Sequence, residues 1–185
     1  MYTIGIAGGT CSGKTTLSGK LDGMFTAAGY KTCVIHMDSF FKKVTPTVVA
    51  PFTGVEYPEH NHPDSFRMDE FYAAVDEAQA SDADVLIIEG LLILYLEHIR
   101  EKLDLKIFVD LLSDERMYRR IHKFMAMRGD TLEQVCDRYL DTVRWRHAEF
   151  VEPSRWYADL VINGADKDGL AAEAVLALAE KKMGK

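Results

Sequence analysis

Short apolar runs alternate along this chain with longer segments whose apolar residues recur at helical spacing. The apolar runs are rich in Ile, Val and Leu, and they predict buried strands over residues 2–7, 32–37, 84–88, 105–109 and 160–162. The periodic segments predict helices over residues 14–28, 68–80, 113–127, 131–150 and 166–182. This alternation predicts an α/β fold in which helices flank a central parallel sheet of about five strands.

One long stretch, residues 39–67, shows no such periodicity and contains Pro46, Pro51, Pro58 and Pro63. A loop of this length within a compact domain is usually functional. Because it directly follows a predicted strand, we expect it to be an insertion that binds the substrate. No repeat or low-complexity tract divides the chain, so its 185 residues predict a single domain.

Composition narrows the class of protein. With 48% apolar and 28% charged residues, and no apolar run near the roughly 20 residues that cross a bilayer, we expect no membrane partner. The N-terminus carries no signal-like segment, which predicts a cytoplasmic protein. The net charge of −7 disfavours a nucleic-acid surface. The three cysteines lack metal-type spacing, so neither a disulfide framework nor structural zinc is expected.

A phosphate-binding motif lies between the first predicted strand and helix, where Gly-x-x-x-x-Gly-Lys-Thr spans residues 8–15. Glycines let successive backbone N–H groups point at phosphate oxygens, and the following helix adds its dipole. Lys14 would neutralise the outer phosphates, and the Thr15 hydroxyl would ligate Mg²⁺. ATP or another nucleoside triphosphate, with Mg²⁺, is therefore predicted to bind Gly8, Gly9, Thr10, Cys11, Ser12, Gly13, Lys14, Thr15 and Thr16.

Two acids follow predicted strands, at the sheet edge where parallel sheets gather their ligands. Asp38 follows the second strand and could accept the proton of an attacking hydroxyl, although it could also cap the next turn. Glu89 ends the third strand and suits the Mg²⁺ shell, directly or through water, although it could be a plain strand-end charge. Both patterns favour the catalytic interpretation.

Several segments, in order, resemble the uridine kinase family of nucleoside kinases: GIAGGTCSGKTTLS, MDSFFK, NHPDSF, IIEGLLIL, IFVDLLSDERMYRRI and RGDTLEQVCDRYLDTVRWRHAEFVEPSRWYADLVI. The resemblance implies a P-loop kinase fold with a helical lid over about residues 113–150 and phosphorylation of a nucleoside 5′-hydroxyl. It implies that Asp38 is the base, that Glu89 acts on the magnesium side, and that Asp64 binds the sugar hydroxyls. Arg128 would reach the ATP phosphates, Gln134 would lie in the next helix, and a homo-oligomer is permitted.

This chain departs from the family in segments that are expected to recognise the phosphate acceptor. Family members carry a base-binding hairpin between the helix after the His-Pro-Asp motif and the Glu-Gly strand, whereas here only residues 81–83 separate the predicted elements. Asp130 stands where the family has a second lid arginine, and Arg67 where it usually has an acid. The acceptor therefore stays open between uridine or cytidine, another riboside such as nicotinamide riboside, and a non-nucleoside alcohol.

Residues of the 39–67 stretch are candidates for the acceptor pocket. Phe41 and Tyr57 could stack on a ring, although such dense aromatics could equally pack the insertion onto the sheet. His62 could line the pocket beside Asp38 and Asp64. We expect a small-molecule acceptor here.

Two other functions compete with a kinase. A GTPase-like switch would carry an Asn-Lys-x-Asp signature, which is absent because residues 163–166 read Asn-Gly-Ala-Asp. A homologue that binds nucleotide without turnover would have lost reactive groups, yet Lys14, Thr15, Asp38 and Glu89 are all present. The sequence therefore favours an ATP-dependent phosphotransferase that acts on an alcohol, with Asp38, Lys14 and Arg128 as its catalytic residues.

Overall fold

A computed structural model describes residues 1–184 as strands and helices in alternation. The strands are β1 Tyr2–Gly8, β2 Thr32–His36, β3 Thr47–Val49, β4 Glu56–Pro58, β5 Val85–Glu89, β6 Leu105–Asp110 and β7 Leu160–Asn163. The helices are α1 Lys14–Ala27, α2 Met68–Gln79, α3 Glu97–Arg100, α4 Ser113–Arg128, α5 Leu132–Arg138, α6 Arg144–Arg146, α7 Glu152–Ser154 and α8 Leu170–Lys182. Within this described range, no helix is long and apolar enough to cross a membrane.

Five strands form the central sheet in the order β2-β5-β1-β6-β7, and all neighbours are parallel. The alternating side chains of β5 enter different cores, because successive strand residues point to opposite faces. Leu86 and Ile88 pack with Phe71 of α2. Val85 and Ile87 pack with the face that contains α1 and α8. The predicted five-stranded parallel sheet between helical layers is confirmed.

The carboxyl ends of the parallel strands meet at one edge of the sheet. The glycine-rich loop follows β1 there, and a 3₁₀ turn at Met37–Phe40 follows β2. Glu89 ends β5, and Gly164 follows β7. Parallel topology therefore brings four separate segments of the sequence to one place.

The 39–67 stretch is more ordered than its sequence suggests. β3 and β4 pair as an antiparallel hairpin, and a 3₁₀ turn forms at Pro63–Ser65. Each strand has three residues, which is too short for a period-two pattern to stand out. Between α2 and β5 lie only residues 80–84, so the described chain has no hairpin at that point.

The predicted helix over 131–150 is a longer helical segment with irregular turns. Thr131 caps α5 through a capping box with Gln134, in the helix where the family resemblance put that glutamine. Beyond α5, π-helical turns at Tyr139–Val143 and His147–Val151 alternate with short α-helical turns. The last helix begins at Leu170 rather than 166, because the Asp166 carboxylate accepts hydrogen bonds from the backbone N–H groups of Gly169 and Ala171.

Candidate active site

The glycine-rich loop has the backbone conformation that a phosphate cradle requires. Gly8 and Gly13 have φ angles of 144° and 107°, which favour glycine, and Cys11 adopts a left-handed φ of 58°. Lys14 is buried, and its Nζ donates to the Gly9 carbonyl at 2.9 Å. Burial lowers the pKa of Lys14, and the nearby Glu89 and Asp38 carboxylates partly oppose that shift. The ammonium therefore lies against the glycine-rich loop, where it could turn toward a bound anion.

Oxygen ligands converge beside this loop. The Thr15 hydroxyl donates to Glu89 Oε1 at 3.1 Å, and Glu89 is buried at the end of β5. His36 Nδ1 lies 2.8 Å from the same carboxylate oxygen and donates to it. A hydroxyl and a carboxylate are hard oxygen donors of the kind Mg²⁺ prefers, and a histidine behind the acid fixes its orientation. The residues present therefore fit a magnesium ion.

Asp38 lies on the 3₁₀ turn after β2, across the cleft from the glycine-rich loop. Its side chain is open to the cleft, but the surrounding walls remove much of its water. This desolvation raises the pKa of Asp38, the neighbouring Glu89 acts in the same direction, and Lys14 opposes both. A carboxylate with a raised pKa at this position is a stronger base than an ordinary aspartate.

A cleft of about 410 Å³ joins these groups. Its walls include Asp38, Phe41, Glu89 and Arg128, together with the loop residues Thr10, Cys11, Gly13, Lys14, Thr15 and Thr16. The cations that line it are Lys14, Arg119, Arg120, Lys123, Arg128 and Arg138. Only two carboxylates, Asp38 and Glu89, face these six cations in the described lining. On a chain with a net charge of −7, this local excess is suited to a polyanion such as a triphosphate.

Helix α4, which lies in the predicted lid, supplies four of these six cations, and two of them pack on Phe124. The guanidinium carbons of Arg120 and Arg128 lie 4.4 and 4.2 Å from the Phe124 ring centroid. Arg120 also donates to the Thr10 hydroxyl at 3.1 Å, which ties the lid to the glycine-rich loop. Arg116 is buried behind that loop, where its NH1 would lie 2.6 Å from a Cβ at Gly9. Arg120 and Arg128 thus both pack on Phe124, and Arg120 is also held by Thr10.

Three predicted acceptor residues lie outside the cleft lining. The Tyr57 hydroxyl donates to Asp141 Oδ2 at 2.8 Å and joins the β3-β4 hairpin to the helical segment. His62 accepts from the backbone N–H of Asp64, and its ring packs on Phe150 at 5.1 Å. Asp64 has a side chain that is 73% exposed. In this conformation these residues support the insertion, and their substrate roles stay predictions.

The cleft wall instead contains His60 and Asn61, which the sequence analysis did not propose as acceptor residues. The Glu59 carboxylate accepts from the backbone N–H groups of both, at 2.9 and 2.7 Å. Arg146 Nε donates to Glu59 at 2.7 Å from the helical segment. Lys123 and Arg138 were also missed. Their only sequence signal was the helical spacing of cations after residue 116, which solvated faces share.

A second cavity, of about 180 Å³, adjoins the glycine-rich loop on the side of β7. Its walls include Lys20, Asn163 and Lys167. It shares Gly13, Thr16 and Arg119 with the main cleft, so the two spaces are adjacent along the start of α1. Arg119 NH1 donates to the Gly164 carbonyl at 3.0 Å at this boundary.

The parallel sheet and the glycine-rich loop after β1 are those of a P-loop kinase fold. A putative fructose transport system kinase from Silicibacter sp. TM1040 aligns with a TM-score of 0.66 at 20% identity, covering 86% of this chain and 88% of that one. Phosphoribulokinase from Rhodobacter spheroides aligns with a TM-score of 0.62 at 17% identity, covering 89% of this chain and 72% of that one. These similarities concern the fold.

The family follows from sequence similarity. The family model for the Phosphoribulokinase / Uridine kinase family matches residues 53–170. A uridine kinase of Lactococcus lactis subsp. lactis (strain IL1403) is 34% identical over 86% of each chain. A uridine kinase of Clostridium botulinum (strain 657 / Type Ba4) is 33% identical over 94% of this chain and 93% of its own. The chain belongs to this family, and the resemblance found in its motifs is confirmed.

Proposed function

We propose that this protein is an ATP-dependent kinase that transfers the γ-phosphoryl group to a hydroxyl of a small molecule, with uridine and related ribosides as the first candidates. The observation that carries the proposal is the convergence of Lys14, Asp38 and the Thr15–Glu89 pair in one cleft. In this arrangement a phosphate cradle, a metal site and a carboxylate base would lie within reach of one another. The uridine kinase relatives support the same reaction class.

The donor nucleotide would lie along both cavities. Residues 8–15 hold the phosphates through backbone N–H groups and the α1 dipole. The nucleobase and the γ-phosphate are at opposite ends of a nucleoside triphosphate. If the γ-phosphate lies near Asp38, the nucleoside half would extend into the second cavity, beyond Gly13 and Arg119. Arg120, Lys123 and Arg128 then face the phosphates from the lid side.

The acceptor would lie between Asp38 and the insertion. Its hydroxyl gives its proton to the Asp38 carboxylate as the oxygen attacks the γ-phosphorus in line, and the bond to ADP breaks. Lys14 and Arg128 spread the charge of the loose transition state. Thr15 and Glu89 would hold Mg²⁺, which supplies charge neutralisation of the phosphates when bound. Closure of about residues 113–150 would exclude water, since an open site would hydrolyse ATP.

The side of the cleft that would contact the acceptor, called the acceptor wall below, is the part of the site that differs most from the family pattern. In the described residues, which have no hairpin between α2 and β5, the cleft lining on this side includes Phe41, His60, Asn61 and Leu91. Tyr57, His62 and Asp64 remain predicted contributors that would need to move toward the cleft. This difference favours testing non-nucleoside alcohols and nicotinamide riboside beside uridine and cytidine.

The test is the rate of ADP release from Mg·ATP with uridine, cytidine, adenosine, nicotinamide riboside, pantothenate or simple sugars as acceptor. We expect one acceptor to raise the rate and Asp38→Asn to lower that stimulated rate about a hundredfold, because general-base catalysis is lost. ATP affinity should be unchanged in this variant.

Asp69→Asn is the matched control, because Asp69 is an exposed aspartate at the start of α2 and lies outside the cleft lining. It should keep wild-type turnover. Near-normal turnover of Asp38→Asn would reject the assignment of the base. Intact ATP binding without stimulation by any acceptor would instead identify a nucleotide-binding homologue without this turnover.

A further inference from the structure

Arg138 stands where the lid meets the acceptor insertion. It lies at the end of α5, and its guanidinium lines the main cleft with Arg120 and Arg128. Its NH2 group donates to the Pro58 carbonyl at 2.7 Å and lies 2.8 Å from His60 Nδ1. Among the cations of the cleft, Arg138 is thus bonded directly to the 39–67 insertion.

Half of this guanidinium is free to bind something in the cleft. Within residues 1–184, Arg138 Nε and NH1 have no hydrogen-bond partner, and no carboxylate lies within ion-pair distance. Burial lowers the pKa of Arg138, and repulsion from Arg128 adds to that shift. Cations held together in this way are stabilised by an anion between them.

The position of Arg138 is fixed by the surrounding structure. Glu59, next to Pro58 and His60, is 2% exposed as a residue and is held by Arg146 Nε at 2.7 Å. The loop that accepts from Arg138 is therefore anchored to the helical segment at two points. A planar guanidinium anchored through one NH2 group presents its remaining N–H donors in a defined direction, which is what preorganised electrostatic catalysis requires.

We propose that Arg138 is a further catalytic residue, which donates from Nε and NH1 to the phosphoryl group in transfer between the donor phosphates and the acceptor hydroxyl. This inference rests on the proposed kinase function and adds a residue to it. Arg120 of α4 donates to Thr10 of the glycine-rich loop, and Pro58 and His60 belong to the predicted acceptor insertion. Arg138 bridges the two, which is where the phosphoryl group must pass.

The lid sequence gives this role a physical reason. Residue 130, after the Gly129 that ends α4, is Asp and carries no cation into the site. Because residue 130 is an acid, Arg128 is the last cation of α4 and of the turn that follows it. Arg138, about two helical turns beyond the Thr131 cap at the end of α5, supplies a positive charge from a different element.

The test measures kcat, both KM values and affinity for a transition-state mimic in Arg138→Gln, Arg138→Lys and the double variant Asp130→Arg/Arg138→Gln. We expect Arg138→Gln to lower kcat about a hundredfold, as for loss of one oxyanion-type donor. Both KM values should change less than about threefold, since the contact forms in the transition state. Arg138→Lys and the double variant should each regain about a tenth of the wild-type kcat, because each restores charge without the bidentate fork.

Arg144→Gln is the matched control, because Arg144 is exposed on the same helical segment, stacks on Trp145 and lies outside the cleft lining. It should keep wild-type kinetics. A normal kcat in Arg138→Gln, or a rise in the acceptor KM alone, would overturn the inference. So would equal loss of kcat in all three Arg138 variants, because the guanidinium would then only hold the Pro58–His60 loop.

Binding of Mg·ADP with aluminium fluoride gives a readout that needs no acceptor, because the fluoride mimics the phosphoryl group in transfer. Wild-type protein should bind it more tightly than Mg·ADP alone, and Arg138→Gln should lose that preference. An unchanged preference overturns the inference. Failure of the kinase proposal itself is seen separately, as wild-type protein that no acceptor stimulates.

Discussion

At the scale of single residues, the chemistry of this site depends on how little water reaches its charged groups. Lys14 is buried under the glycine-rich loop, and Glu89 is buried at the strand end, so each acts on the other at low effective dielectric. Asp38 is the acid that remains open to the cleft. In the proposed reaction, this difference in exposure leaves Glu89 for the metal and Asp38 for the proton.

The raised pKa of Asp38 predicts the pH dependence of the reaction. The base must be deprotonated, so kcat/KM should rise with pH through a pKa above the ordinary aspartate value of 3.8. A pH profile of kcat/KM checks this in wild-type protein and in Asp38→Asn. The acidic limb should disappear in the variant, and an unchanged limb would assign that titration to another group.

Glu89 and His36 predict a graded loss of metal binding. Glu89→Gln should raise the Mg²⁺ concentration needed for half-maximal turnover by about tenfold or more, because a charged ligand is lost. His36→Gln should produce a smaller rise, at or below the lower end of the roughly 10- to 100-fold range found for residues behind a ligand. Magnesium titrations of turnover provide the comparison. A response of His36→Gln larger than that of Glu89→Gln would contradict the assigned order of the two residues.

At the scale of elements, the loop after β7 supports the phosphate cradle through one glycine. A Cβ at Gly164 would lie 2.0 Å from the Ser12 carbonyl oxygen, and backbone cannot move aside cheaply. Gly19, on an exposed face of α1, has nothing within 4 Å of its Cβ position. The same substitution should therefore have opposite effects at the two positions.

Gly164→Ala should destabilise the fold by about 1 to 3 kcal/mol through overpacking and weaken ATP binding. Gly19→Ala should stabilise it by about 0.5 to 1 kcal/mol, since alanine favours helix. Urea unfolding and ATP titration measure both effects. Equal stability of the two variants would show that the Gly164 contact is not a constraint.

The Glu59–Arg146 pair predicts an acid-sensitive link between the insertion and the helical segment. Burial alone would raise the pKa of Glu59, but hydrogen bonds from Arg146 and from the backbone N–H groups of Asn61 and His60 outweigh it and lower the pKa. A lowered folded-state pKa gives stability that is present above the unfolded value, about 4.3, and is lost as pH falls through the folded value. Glu59→Gln should remove this part of the acid dependence.

Arg146→Gln should cost about 2 to 4 kcal/mol at neutral pH, because Glu59 would stay buried without its cation. Glu149, the other partner of Arg146, has a side chain that is 50% exposed. Glu149→Gln should therefore cost less than about 0.5 kcal/mol. Urea unfolding at neutral and acidic pH separates these variants, and equal losses for Arg146→Gln and Glu149→Gln would contradict the account.

Sequence patterns predicted most elements because buried strands and amphipathic helices are local signals. The β3-β4 hairpin was missed, since two strands of three residues carry no readable alternation. The π-helical turns after α5 were missed because the apolar spacing still reads as helix. Both irregular features lie against each other, where Tyr57 and Thr53 donate to Asp141.

At the scale of the whole molecule, parallel topology makes the phosphate site predictable and leaves the acceptor wall unpredictable. The location of Asp38 and Glu89 in one cleft could be predicted because each stands at the end of an apolar run that must end at the same sheet edge. His60, Asn61 and Arg138 meet there only through folding of the insertion against the helical segment. Contacts of that kind leave no periodic trace in the sequence.

The measurement that tests the central claim most directly follows a labelled γ-phosphoryl group of ATP. Wild-type protein is incubated with Mg²⁺, labelled ATP and the acceptor panel, and the products are separated and identified by mass spectrometry. The account predicts that the label appears as a phosphate ester on one acceptor and that Asp38→Asn slows its formation about a hundredfold. Label found only in inorganic phosphate, or label retained in bound ATP with every acceptor, would contradict the proposed kinase function.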